Sequence, residues 1–144
     1  MSFELWNPPP LPIPIQQCVE DSERKIDGKC WDLKAVQDAL AKGELKVQLS
    51  GGAHATMVEE LLWSDEDVIQ FILCLNKARY NDSEWCLPNR NPKLQPMKAD
   101  SYVMGFNRFK GEENQNADPW VYFKFTIRAN TLTLLVFSLH NSIY

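Results

Sequence analysis

The segment from Trp120 to Arg128 puts Val121, Phe123, Phe125 and Ile127 on one face of a strand. Tyr122, Lys124, Thr126 and Arg128 fall on the other, because side chains alternate across an extended chain. The first row is core. The second carries the groups that single-stranded RNA requires: cations for phosphates, a ring for a base and hydroxyls for polar contacts. The same row also suits an ordinary solvated sheet face. His140 follows the last strand, and an imidazole can both take and give a proton near neutral pH. If Leu132, Leu134 and Val136 face the core, Ser138 and His140 share their parity, which turns His140 inward unless the strand bends near its end.

Other chemistries leave no mark. The chain has no GxxxxGK[ST], GxGxxG, GxSxG or HExxH pattern. Its four cysteines, Cys18, Cys30, Cys74 and Cys86, form no CxxC pair and are expected to remain thiols. Cys74 reads as core, and Cys86, in a polar stretch, is a weak nucleophile candidate. With only His54 and His140 to join them, a zinc site would need widely separated ligands, so neither metal nor cofactor is expected. RNA cleavage needs neither, because the 2′-hydroxyl of the substrate is the nucleophile and the protein supplies a base, an acid and a cation.

These residues sit in 144 positions, enough for one domain, with a mean hydropathy of −0.35 and 44% hydrophobic residues. The first residues lack the pattern of an export signal and no apolar run approaches a membrane span, so a cytoplasmic protein without membrane contact is expected. Net charge is −4, which argues against a protein that coats nucleic acid. The halves differ: residues 1–75 hold 6 basic and 13 acidic residues, net −7, whereas 76–144 hold 9 and 6, net +3. A polyanion would therefore bind through the second half.

The elements that must position the site follow from the pattern. Residues 1–31 form an arm and connector whose prolines, over 7–15, impose an extended course along the domain's own surface. Residues 16–30 read as a connector or short helix. Asp32 caps a helix with Leu33, Val36, Ala39 and Leu40 inward and Gly43 as its stop. Glu44 to Ser50 alternates as a strand ended by Gly51-Gly52. Helices follow over 53–62 and from Ser64, whose capping box closes on Asp67. Residues 81–99 carry turn chemistry and predict a long loop. Strands follow over Tyr102 to Phe109, Trp120 to Arg128 and Leu132 to Leu139, the last two a hairpin about Ala129-Asn130. The sum is an α+β domain over 32–144, its N-terminal helices packed on a C-terminal antiparallel sheet.

The order of these segments resembles a known family. The run from Leu33 through Gly43 to Val47, then a helix, then Trp63-Ser-Asp-Glu-Asp-Val-Ile-Gln-Phe-Ile-Leu-Cys-Leu75, is similar to the motility quorum-sensing regulator (MqsR) family of type II toxins. Asp100-Ser-Tyr102, Val121-Tyr122-Phe-Lys124 and Leu134-Leu-Val-Phe-Ser138 look like that family's later strands. The likeness spans about residues 32 to 140 and rests on order and spacing. It implies a RelE-like fold, a ribosome-independent endonuclease acting on single-stranded messenger RNA, and neutralisation by a cognate antitoxin protein.

The resemblance also implies site residues. Tyr80 matches a family tyrosine, Asn81 stands where a lysine follows it, and Ala99 replaces a glutamine. Tyr122 is kept, and His140 takes the place of a terminal lysine. On that footing His140 acts as acid or base and Tyr80 and Tyr122 orient the phosphate. Lys124, Arg79 or Lys77 steadies its charge, with Tyr102 and Arg128 as further RNA contacts. The same substitutions fit a second class: a non-catalytic binding protein on this scaffold, either a decayed toxin or an inhibitor with an acidic surface.

Overall fold

A computed structural model describes residues 2–18, 20–87, 95–114 and 120–142, omitting the side chain of Asp21. Pro88, Pro92 and the loop over 115–118 lie outside the described residues. Helix α1 (Leu33–Ala41) begins where Asp32 accepts from the Ala35 amide at 3.2 Å, and Gly43 ends it at φ 73°. Ser50 caps α2 (Gly51–Thr56) through the Ala53 amide. Gly51-Gly52, which follows the end of the preceding strand, thus opens a helix, the serine hydroxyl satisfying one of its free first-turn amides. One π turn over Met57–Leu61 follows, closed by Leu62 at φ 56°. Helix α3 (Asp65–Cys74) makes both capping-box bonds, Ser64 N to Asp67 at 2.9 Å and Asp67 N to Ser64 Oγ at 3.2 Å.

Among the described residues seven strands form the sheet: β1 (Lys25–Ile26), β2 (Lys46–Leu49), β3 (Tyr80–Cys86), β4 (Met97–Asn107), β5 (Glu112–Glu113), β6 (Trp120–Arg128) and β7 (Thr133–Asn141). Their order is β1-β3-β4-β6-β7-β2, with β5 beside β4. The fold is α+β, but the sheet is mixed: β2 runs parallel to β7 at its edge while the other pairs are antiparallel. Helices α2 and α3 lie in the long connection between them, which is what parallel neighbours need.

The expected loop over 81–99 is corrected. Residues Tyr80 to Cys86 are β3, paired with β4 from Met97 onward. The prolines that signalled a loop lie after Cys86, and the polar residues before it face charged partners across the sheet. The connector over 16–30 likewise contains β1, two residues held to β3.

The core fills the space between the helices and one sheet face. There Trp63, Phe71, Phe106 and Phe123 meet at tilted and edge-on angles with centroids 5.3 to 5.6 Å apart. The arm contributes to the same core through buried Phe3, whose carbonyl accepts from the Asp32 amide at 2.7 Å. Lys98 clamps it from below, bonding Glu4 and the Trp6 carbonyl. Residues 10–16 line a groove together with Trp85, Gln95 and Pro96.

Asp100 of β4 is completely buried and accepts from the Cys30 amide at 3.0 Å, the Trp31 amide at 3.0 Å and Ser83 Oγ at 2.6 Å. It joins the arm, the start of α1 and β3 to the centre of the sheet. Asp100→Ala would strand these donors in an apolar interior and is expected to cost about 3 kcal/mol. Urea unfolding measures this, and a loss below about 1 kcal/mol would contradict the assignment.

Candidate nucleic-acid interface

The sheet face away from the helices collects the charged residues. Its alternation begins on β6, where Val121, Phe123, Phe125 and Ile127 are buried as the pattern requires, leaving Tyr122 and Lys124 on the opposite side. Cross-strand register fixes their neighbours. Tyr122 lies between Val103 and His140, and Lys124 between Ser101 and Ser138. On the far side of β4, Asp82 opposes Ser101 and Glu84 opposes Ala99.

His140 reaches this face through a bulge. The register of β7 against β6 steps from Ser138 opposite Lys124 to Val136 opposite Phe125, so Phe137 is the extra residue. One inserted residue exchanges the faces of everything beyond it. Leu139 accordingly becomes core, and His140 turns outward instead of sharing the inward parity of Leu134 and Val136. Its ring stacks on Tyr122, with centroids 5.0 Å apart and planes 14° from parallel. Nδ1 lies 2.9 Å from the Asn141 carbonyl, an acceptor only, so Nδ1 carries the proton and Nε2 of the neutral ring is free to accept one.

The electrostatics are paired. Lys124 Nζ bonds Glu84 at 2.7 Å with both side chains largely buried, and Lys25 bonds Asp82. Burial alone would lower the Lys124 pKa, but the fields of Cys86 and Glu84 and the Glu84 bond reverse this and raise it. At neutral pH Cys86 is a thiol, so Glu84 is the group that keeps Lys124 charged. Burial raises the Asp82 pKa, but bonds from Lys25 and Ser101 outweigh it and leave the carboxyl below its usual range. Tyr122 is raised, chiefly by burial and against the opposing effects of Lys124 and Ser101, so its phenol keeps its proton and acts as a donor. Cys86 is buried and pushed up to about 11 by desolvation, which removes it as a nucleophile.

The remaining sequence candidates are scattered. Tyr80 and Tyr102 oppose each other on the helix-facing side of the sheet, rings 5.8 Å apart, because a register shift between Tyr80 and Asp82 puts Tyr80 across from Tyr102. Tyr80 therefore does not join Tyr122 and His140; its hydroxyl bonds Ser83 at 2.6 Å. Arg79 is held in a two-pronged bond by Glu113, at 3.1 and 3.0 Å, and lies over the Trp120 ring. Lys77 is exposed beyond the end of α3. Arg128 shares the face of Tyr122 but lies six residues away, roughly 20 Å along the strand. Thr126 is buried and donates to the Lys98 carbonyl at 2.7 Å.

Sequence reasoning missed Asp82, Glu84, Lys25 and Ser101. The available signal was the spacing of two between Asp82 and Glu84, which on a strand aligns two carboxylates on one face. Among the described residues, no group of three or more His, Cys, Asp or Glu side chains could hold a metal ion, and no helix is long and apolar enough to cross a membrane. In comparisons with known proteins, no family model, no curated protein and no solved structure matches the chain.

Glu84→Gln leaves the Lys124 charge desolvated without its partner and is expected to destabilise the fold by about 3 kcal/mol. Adding Lys124→Met should recover more than half of that loss, as read from denaturant midpoints. A double variant no better than the single one would show that the pair is not coupled.

Proposed function

We propose that the protein is a metal-independent endoribonuclease of the type II toxin kind, related to the MqsR toxins, that cuts single-stranded messenger RNA on the open sheet face. The observation that carries this reading is the Phe137 bulge, which sets His140 against Tyr122 on one accessible surface. Nε2 of His140 takes the proton from a ribose 2′-hydroxyl, whose oxygen attacks the adjacent phosphorus. The P–O5′ bond breaks, and the departing 5′ oxygen is protonated by solvent. The products are a 2′,3′-cyclic phosphate and a 5′-hydroxyl end. Tyr122, protonated, donates to a phosphate oxygen, and Lys124 offsets the charge that builds there. Neutralisation by a cognate antitoxin, and action in the cytoplasm where messenger RNA is translated, belong to the same reading.

A second reading has its own support. Lys25 and Lys124 are already engaged by Asp82 and Glu84, so the face presents balanced charge and not a cationic track. A non-catalytic protein that binds a partner through this surface fits that balance.

The two readings separate on purified protein incubated with long, mixed-sequence RNA in EDTA, with the 5′ ends of the products mapped. The proposed nuclease gives discrete cuts, slowed roughly 100-fold or more by His140→Ala and less by Tyr122→Phe. Intact RNA from folded protein, or cuts unaffected by His140→Ala, would reject it and leave the binding reading.

A further inference from the structure

On the helix-facing side of the molecule, away from Tyr122 and His140, a cleft of about 590 Å³ opens between the start of α1 and the end of α3. That volume lies within the range of small-molecule sites. Trp31, Leu33 and Leu75 give it an apolar wall. Lys29, Lys34 and Lys77 bring three ammonium groups to it, and among the described residues only Lys34 pairs with a carboxylate, Asp38, at 3.5 Å on its own helix. The Asp32 carboxylate on the same rim is turned to the Ala35 amide as the helix cap.

Tyr102 contributes to the same cleft, and its phenol is the feature that no structural role absorbs. The residue is completely buried, yet its hydroxyl is the one buried side-chain polar atom among the described residues without a hydrogen-bond partner. An unpaired buried hydroxyl costs free energy, and phenylalanine would fill the same space without that cost. Neighbouring polar groups are also incompletely used. The Gln37 amide nitrogen is spent on the carbonyls of Ile72, Leu73 and Leu75, which leaves its oxygen as an acceptor. Asn76 accepts from the Ala78 amide through Oδ1, which leaves its NH₂ as a donor.

From these observations we infer that the cleft is a binding site for a phosphate-bearing ligand of nucleotide size. The phosphate faces Lys29 and Lys77, the flat body lies against Trp31 and Leu33, and a polar edge meets the Tyr102 hydroxyl. The apolar wall suits a flat body, and the phosphate answers two ammonium groups, Lys29 beside the Tyr80 ring and Lys77, that no carboxylate pairs among the described residues. The donor of Asn76 and the acceptor of Gln37 suit the edge of a heterocycle. The site is separate from the proposed nuclease face, because Tyr102 and Tyr122 point to opposite sides of the sheet.

The test is calorimetric titration of the full chain with AMP, GMP, CMP and UMP, with adenosine and inorganic phosphate as partial ligands. At least one nucleotide should bind saturably with a Kd below about 1 mM, more tightly than either partial ligand. Tyr102→Phe and the exposed Lys77→Ala should each weaken it roughly fivefold or more. Tyr102→Phe should at the same time raise the Tm of the free protein, since the hydroxyl there lacks a partner. The inference fails if no nucleotide gives saturable heat, or if binding is as tight in both variants as in the natural sequence.

Discussion

A buried carboxylate at the centre of the sheet constrains most of what surrounds it. Desolvating a charged or polar group is costly unless its acceptors are filled, and Asp100 fills them with three donors from two other segments: two successive backbone amides ahead of α1 and the Ser83 hydroxyl of β3. Because those donors belong to separate parts of the chain, satisfying one carboxylate fixes three segments relative to one another. The arm is then held where Phe3 enters the core and Lys98 grips Glu4. With β3 fixed beside β4, Asp82 and Glu84 come within reach of Lys25 and Lys124, and the charged face of the sheet follows.

That face owes its reactive potential to a single inserted residue. Without the bulge at Phe137, His140 would continue the inward parity of Leu134 and Val136 and compete for space in the core. With it, Leu139 takes the buried position and the imidazole lies on Tyr122. A bulge at this place serves two ends at once, since it keeps the core apolar and delivers a proton-transfer group to the surface. The ion pair with Glu84 holds Lys124 charged and nearly buried, an arrangement that positions the cation and leaves it already paired.

The parts of this structure that were legible in the sequence are those where local chemistry decides. Asp32 and Gly43 mark the ends of α1, Ser64 and Asp67 mark the start of α3, and the alternation from Val121 to Ile127 identifies β6 and its inward row. What stayed hidden depends on partners remote in the chain. β3 reads as a loop because Asn81, Asp82 and Ser83 favour turns, and only Lys25, Ser101 and Lys124 across the sheet make those side chains welcome in a strand. The parallel placement of β2 against β7 has no local signature, whereas the bulge leaves a faint one, since the apolar parity of Leu132, Leu134 and Val136 breaks at Ser138 and resumes at Leu139. Tyr80 was misplaced for the same reason: a register shift after it turned the ring to the helix side, away from the residues with which the family resemblance had grouped it.

The central claim is that the sheet face away from the helices, where Tyr122 and His140 stack, is the surface that receives RNA. It is tested most directly by recording amide and imidazole NMR signals of the full chain while adding a single-stranded RNA made uncleavable by 2′-deoxy substitution. The account predicts saturable shifts concentrated at Tyr122, Lys124 and His140 and at their neighbours Val103 and Ser101. Shifts confined to another surface, or none at all with the protein folded, would contradict it.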